Sequence, residues 1–523
     1  MPMMPDDLNY QLDYLKVHKE LQESILRDIT RRIIKTDFSI SDTANWQTEV
    51  LQESGVLYSD ITKEIAKTTK RMESEICEAF EDANTKVFDY DEELIVEAGY
   101  DIKKVTNISP AMKKIIQSTL AKSSTEAINL TKTTAITSKS AYISACDLAH
   151  MQVTSGAFSY QEAIKNAVKS AARQGVTVIY PTGYKSSLDA AVRRSVLTGV
   201  NQTAGTLQEI RANELDVDIM EITAHSGARD DHATWQGKLV SRSGQKGYLS
   251  LSDIGYGSVT GFMGANCRHN WHMFFPGISK RNHTDEELEQ MQNETVMYNG
   301  QETKKAEALS HQRAMERSIR QSKQELVMFD EARKNVTTDE EKALWNAEFE
   351  KSAVKLKGQE AKLKDFCKQT GLKRDRYREQ VFAKETENGI KNWGKSVSQK
   401  AVQANLTKQR QNAIIEAIKS SGIKGEKINY PPKKIDNNNF IFEDSHINTQ
   451  RGHNVTEKQA ISYIKNAKFS ITGWKGRREK YFSFEGAAYV DIETNTICTA
   501  FCKDEYDTTV KNALKEYVKN GGK

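Results

Sequence analysis

A chain of 523 residues exceeds what one hydrophobic core organises, and at roughly 100 to 200 residues per domain it should hold about three units. A formal charge of +4 in a chain that is 28% charged excludes a polyelectrolyte dedicated to coating nucleic acid, so any nucleic-acid site must be local. Hydrophobic content of 38% with a mean hydropathy of -0.65 favours long solvated helices over a thick sheet core.

No apolar run approaches the roughly 18 residues that cross a bilayer, and the opening MPMMPDDLNY lacks the basic flank and apolar segment of a signal peptide. No membrane partner is expected, and the chain should stay in a cytoplasm. Cys77, Cys146, Cys267, Cys367, Cys498 and Cys502 are scattered without CxxC pairs, the pattern of reduced thiols.

From Asp6 to about Ser41, Leu21, Ile25, Ile29 and Ile33 recur every fourth position and predict an amphipathic helix. Ile61, Ile65, Met72, Ile76 and Phe80 mark a second helix, and Ser109 with Pro110 a third helix start. Ser159 and Glu162 read as a capping box for a helix that Gly175 stops before the β-branched VTVIY. Another helix covers SSLDAAVRRSVLTGVNQTAGTLQEIRANEL, followed by a strand around Val217 and Ile219. Between His225 and Pro276 glycine becomes dense. Charged helices then run from Thr284 to about Lys384, opening on a Thr284/Glu287 capping box and restarting at Thr338/Glu341. The stretch Ser420 to Asn439, with its Pro-Pro pair, reads as a linker. Beyond it come the helix TEKQAISYIKNA and the strand-like YFSFEGAAYVDI and TICTAF joined across ETN.

The expected fold is therefore mainly α and multidomain, with long helical N-terminal and middle regions around a compact glycine-rich α+β centre and a small C-terminal α+β domain. The expected boundaries are 1–205 (helical), 206–283 (glycine-rich centre), 284–419 (charged helices), 420–439 (linker) and 440–523 (small α+β domain).

The centre carries the chemistry-bearing residues. His225, His232, Cys267, His269 and His272 are imidazoles and a thiol that can converge on one tetrahedral Zn²⁺, with the first four the preferred ligands. The alternative is a hydrogen-bonded network in which Arg229, Trp235, Asn266 and Arg268 fasten a glycine-rich hairpin and the histidines act as internal donors and acceptors. Asp230 and Asp231 beside this group raise a third reading, a zinc-dependent hydrolase centred on His225 to His272, although no HExxH, GxSxG or paired CxxC pattern is present.

The motifs HSGARDDHATWQGK and GYGSVTGFMGANCRHNWHMFFPG are preceded by AVRRSVLTGVNQTA and followed by YNGQETKKAEALSHQRAMERSIRQSK and FCKQTGLKRDRYREQ. In that order they resemble the phage minor capsid proteins of the minor capsid protein 2 type, related to the head-morphogenesis proteins of Mu-like and SPP1-like phages. The resemblance implies a virion protein present in few copies per head, incorporated with portal, scaffold and major capsid proteins during procapsid assembly. Arg313, Arg317 and Arg320 share one helix face, which reads either as a basic stripe for DNA or an acidic partner or as a solvated face interleaved with Glu316 and Glu325.

The terminal segment from HINTQRGH to TICTAF resembles a different family, the small phage-borne and polymorphic-toxin RNases of the barnase, EndoU, colicin and RelE type. That resemblance implies cleavage of host RNA without a metal, and a neutralising immunity protein. His446 and His453 would exchange protons, Arg477, Arg478 and Lys480 would hold the phosphate with the Thr499 hydroxyl, and Trp474 and Tyr481 would stack on bases. The competing reading is an inert tail, with the histidines in an exposed loop, Lys475 to Lys480 a solvated turn, and Trp474, Phe482 and Phe484 in the core.

Overall fold

The structure, a computed structural model, describes residues 15–39, 42–100, 108–381, 383–386, 389–392, 395–435 and 439–522. The first nine positions of the helix expected from Asp6, its end at Ser41, and residues 436–438 of the expected linker lie outside the described residues. The chain divides into two compact units, 1–401 and 402–523.

The first unit opens with α1 (Lys16–Lys35), whose Leu21, Ile25, Ile29 and Ile33 are all buried, as the four-residue recurrence requires. α2 (Thr43–Glu97) starts where Asp42 accepts from the Asn45 amide at 2.8 Å. α3 (Pro110–Thr154) is capped by Ser109, and α4 (Tyr160–Gln174) by Ser159 before it stops at Gly175, φ +58°. A hairpin of β1 (Thr177–Ile179) and β2 (Lys185–Ser187) leads into α5 (Leu188–Glu214).

The centre consists of β3 (Ile219–Ile222), the single turn α6 (Asp230–Ala233), β4 (Leu239–Ser241) and β5 (Trp271–Met273), with sheet order β4-β3-β5. Its core gathers Met220, Ile222, Trp235, Val240, Phe262, Trp271 and Met273. Burying each such side chain stabilises by roughly 1.5–3 kcal/mol, which lets a three-stranded sheet anchor a long loop. After α7 (Asp285–Asn293) the chain forms a hairpin of β6 (Thr295–Tyr298) and β7 (Gln301–Lys304) before α8 (Lys305–Asn335) and α9 (Asp339–Thr370). Of the three predicted capping boxes, Thr284/Glu287 and Thr338/Glu341 are formed reciprocally, whereas at α4 only the Ser159 hydroxyl accepts from the Glu162 amide at 3.3 Å. The hairpin interrupts what the composition predicts as continuous helix. Its turn is Asn299-Gly300, both at positive φ, the dipeptide that a two-residue hairpin loop favours. β8 (Ala383–Thr386) and β9 (Gly389–Asn392) pair antiparallel, and α10 (Lys395–Ser420) carries the division between the units.

In the second unit, β10 (Lys427–Asn429), β11 (Ile441–Phe442), α11 (Glu457–Lys465), β12 (Phe469–Gly473), β13 (Arg478–Phe482), β14 (Gly486–Asp491), β15 (Thr496–Cys502) and α12 (Thr508–Lys519) build a six-stranded sheet in the order β10-β12-β13-β14-β15-β11. Within the stretch read as a linker, 420–439, β10 pairs with β12 in the register Lys427↔Thr472 to Asn429↔Ser470. Asn429 donates to Thr472 Oγ1 at 2.9 Å and to the buried Glu479 at 2.8 Å, so a three-residue edge strand with one apolar side chain is held by polar bonds. Both sheet faces are covered. Ile414 and Ile418 of α10 join Val510, Ala513, Leu514 and Tyr517 of α12 on one, while Ala460 and Tyr463 of α11 join Ile447 on the other. Among the described residues no helix is long and apolar enough to cross a membrane.

Candidate functional site: the buried histidine and cysteine centre

The loop between β4 and β5 is fastened from α5. Asn201 Nδ2 donates to the carbonyl oxygens of His269 at 3.0 Å and Cys267 at 3.4 Å, and Asn270 Nδ2 donates back to Asn201 Oδ1 at 3.1 Å. Gln202 Nε2 donates to the Met263 carbonyl at 3.0 Å, and Trp271 Nε1 to the Gly205 carbonyl at 2.9 Å. The loop folds tightly on itself because a Cβ at Gly261 would stand 2.1 Å from the Gly255 oxygen, so only glycine fits there. Sequence reasoning missed the roles of Asn201 and Gln202, although both lie inside the AVRRSVLTGVNQTA motif.

This fastening brings His232, Cys267 and His269 together in the interior, with potential ligand atoms all within 4.8 Å of one another. His232 Nδ1 is 3.3 Å from His269 Nδ1, which is 3.7 Å from Cys267 Sγ. His269 Nε2 lies 3.0 Å from Gln236 Oε1, an oxygen that also receives the His225 amide at 3.0 Å. His232 Nε2 lies 2.9 Å from the Thr260 carbonyl and also against Arg229 Nη2. If both Nε2–H groups donate to these carbonyls, two bare Nδ1 lone pairs face each other, which is repulsive without a cation between them. If Arg229 instead donates to His232 Nε2, a proton can bridge the two rings.

Burial drives the electrostatics. It holds the His269 imidazole well below its ordinary pKa, helped by the like-signed His225, His232, Arg229 and Arg268, and lowers that of His232. Burial also pushes the Cys267 thiol up. Neutral imidazoles are ready to coordinate, whereas the thiol would be ionised by the metal itself.

The remaining predicted residues separate. His225 stacks on His269 with ring centroids 4.7 Å apart but does not join the triad, its Nδ1 lying 3.1 Å from the Ser226 carbonyl. His272 turns away. On β5 it alternates with the core residues Trp271 and Met273 and meets Glu221 at 3.3 Å and Asn282 at 3.1 Å. Arg229 fastens the loop through the Thr260 carbonyl at 2.8 Å, and Trp235 packs edge-on against Phe262. Asn266 and Arg268 line a cavity beside the centre, and Asp230 and Asp231 are exposed.

In the second unit, Trp474 is 65% exposed with the Arg478 guanidinium 3.9 Å over its ring, so it is not a core residue. Arg477 pairs with Asp491 at 2.7 Å and Glu493 at 3.3 Å. Lys480, Tyr489 and Thr499 form one cross-strand row, with Lys480 Nζ 5.0 Å from the centre of the Tyr489 ring. His453 Nδ1 meets Glu505 at 2.7 Å and its ring lies 5.6 Å from that of Phe501, while His446 contacts Gln450 at 2.9 Å. Tyr481 is buried and donates to the Lys433 carbonyl at 2.9 Å, so it offers no face to a base. Arg478 pairs with Asp491 and Phe482 with Ala487, the partner of Phe501. The Arg478 and Phe501 ends of the sheet are thus about 13 Å apart along the strands.

Residues 4–368 match the family described as phage minor capsid protein 2. A structural protein of Lactococcus phage LL-H is 25% identical over 277 residues, which cover 48% of this chain and 72% of that protein. No solved structure matches. With 4–368 matched, the fastened loop and its buried triad belong to the family region, and the second unit lies beyond it. The chain belongs to the phage minor capsid protein 2 family.

Proposed function

We propose that this minor capsid protein is an assembly component of the phage head that engages the portal, scaffold and major capsid proteins, and that its histidine and cysteine centre is a zinc-fastened fold element. The observation that carries the second part is the His232, Cys267, His269 triad. Nitrogen ligands in a tetrahedral zinc site stand about 3.3 Å apart and nitrogen and sulfur about 3.6 Å, close to the 3.3 Å and 3.7 Å separations here. Water would take the fourth position. A hydrolase reading lacks support, because Asp230 and Asp231 point to solvent and no other acid or base joins the triad among the described residues. Co-expression with portal and scaffold proteins tests the assembly role. Co-sedimentation of the chain with portal rings supports it, and sedimentation as free protein in every combination refutes it.

The second unit supports a further activity, metal-independent cleavage of host RNA, on the observation that His453 is paired with Glu505 at the end of a face carrying Lys480 and Thr499. A histidine oriented by a carboxylate can take the proton of the ribose 2'-hydroxyl, with Lys480 and Thr499 beside the phosphate and His446 or water protonating the leaving 5'-oxygen. Trp474 and Arg478 would hold a neighbouring nucleotide. Such a domain requires a neutralising immunity protein in its producer. Full-length protein should release 2',3'-cyclic phosphate ends from RNA in the presence of a chelator, and His453→Ala should abolish this. Intact RNA with the wild-type chain would refute the reading.

A further inference from the structure

On α8, Arg313 and Arg317 are exposed and Arg320 is half-buried, yet the three face one common space. Arg313, Arg317 and Arg320 enter the wall of a cavity of about 500 Å³ inside the first unit, together with Arg193 and Arg194 of α5 and with Arg268, next to Cys267. Ten lining side chains are lysine or arginine and two are acids, a net of eight positive charges, and eight of the ten are arginines.

Charge matching elsewhere in the unit is different. Between α1 and α8, Arg27 and Arg31 share Glu331 at 2.8 and 3.0 Å, and Arg32 meets Asp28 at 3.0 Å and Asp60 at 2.8 Å. In the cavity wall Arg378 meets Asp375 at 3.0 Å, but the cations still outnumber the acids. Asp189 is engaged by Arg320 at 3.7 Å, and Glu316 is buried with its carboxyl pushed up by that burial. Arg313 is solvent-exposed, yet its guanidinium pKa is lowered by lost hydration and by Arg378 and Arg317, against Glu316. Lys19, held 3.9 Å over the Tyr377 ring, is pushed down to about 8 by burial. Cations that depress one another around a half-open cavity are a cost to the fold that an anion would relieve.

We propose that this cavity binds a polyphosphate anion of nucleotide size, whether a free nucleotide or polyphosphate or the end of a nucleic-acid strand. The planar guanidinium fork matches phosphate oxygens two at a time, which accounts for arginine over lysine. The volume lies within the roughly 300–1,000 Å³ of small-ligand cavities.

The test is binding to the full-length protein, read by thermal shift and by titration, using tripolyphosphate, ATP, a 5'-phosphorylated deoxythymidine decamer and poly-glutamate. Tripolyphosphate or ATP should raise the first unit's unfolding temperature, with affinity falling steeply as salt rises. Stronger binding of the decamer than of the free anions identifies a strand end as the source, and the reverse order identifies a free anion. Arg317→Gln should reduce the salt slope by about one unit. It should also leave the unfolding temperature without ligand unchanged or higher, because a repelling charge is removed. Arg193→Lys keeps charge and fold but loses the fork, and should weaken phosphate binding severalfold. No response to any phosphate, poly-glutamate binding as tightly as ATP, or a fall in unfolding temperature for Arg317→Gln with ligand response intact would overturn the proposal.

Discussion

Asn201 on α5 donates its amide to the main-chain carbonyl of His269 at 3.0 Å, and through that bond one helix holds the loop that carries two members of the buried triad. Asn201→Ala removes the donor and leaves buried carbonyl oxygens at residues 267 and 269 without it. The expected loss is about 2 kcal/mol in the first unit's unfolding free energy, measured by denaturant titration, with an unchanged helical signal in the folded state. A loss below a few tenths of a kcal/mol would mean that the loop is held by packing alone.

Metal analysis of protein purified without chelator should give one zinc per chain. Cys267→Ala and His269→Ala should each remove it, whereas His272→Ala should not, because His272 faces Glu221. EDTA should lower the unfolding temperature of the wild-type chain and leave that of His269→Ala unmoved. Absence of stoichiometric metal, with no EDTA effect, would favour the proton-bridged network.

Asp330 supplies a pH dependence of known sign. Its buried carboxylate meets Arg333, Lys334 at 2.7 Å and Lys400 at 2.9 Å, and these partners outweigh burial to bring its pKa from 3.8 down to about 2. The lowered folded-state pKa contributes roughly 2 kcal/mol that is complete above the unfolded value near 4 and is lost as pH falls to about 2. Asp330→Asn should therefore destabilise the first unit at neutral pH and flatten its stability profile between about pH 4 and 2. An unchanged acid limb would contradict the assignment.

The second unit needs its N-terminal extension. Ile414, Ile418 and Ile428 belong to its core, so a fragment of residues 402–523 should unfold cooperatively whereas one beginning at Pro431 should not. Ile418→Ala should cost about 2–5 kcal/mol in the longer fragment. Equal stability of the two fragments would show that α10 and β10 are dispensable.

Much of this was legible wherever the chemistry is local. Ser109, Ser159, Thr284 and Thr338 start helices because a side-chain oxygen reaches an amide three residues on, a relation written entirely in neighbouring residues. The Asn299-Gly300 turn was equally local, but the acidic and amide-rich composition around it reads as helix. β10 and α12 were hidden for another reason: Ile428 gains its burial from Ile471 and α12, segments more than forty residues away. At the centre, the motif named four histidines and Cys267, of which the fold brings His232, Cys267 and His269 together; strand alternation turns His272 away, and only the fold shows that His225 stacks without joining. Helical periodicity aligned Arg313, Arg317 and Arg320. It could not reveal that Arg193 and Arg268 line the same cavity.

We propose that residues 1–401 form the head component and that residues 402–523 are a separable addition. This is tested by the copy number of the chain in purified particles, by quantitative mass spectrometry, from phage carrying either the full chain or residues 1–401. Both versions should enter particles at the same low copy number, with heads forming in each case. Absence of the full chain from purified particles, or incorporation that requires residues 402–523, would contradict it.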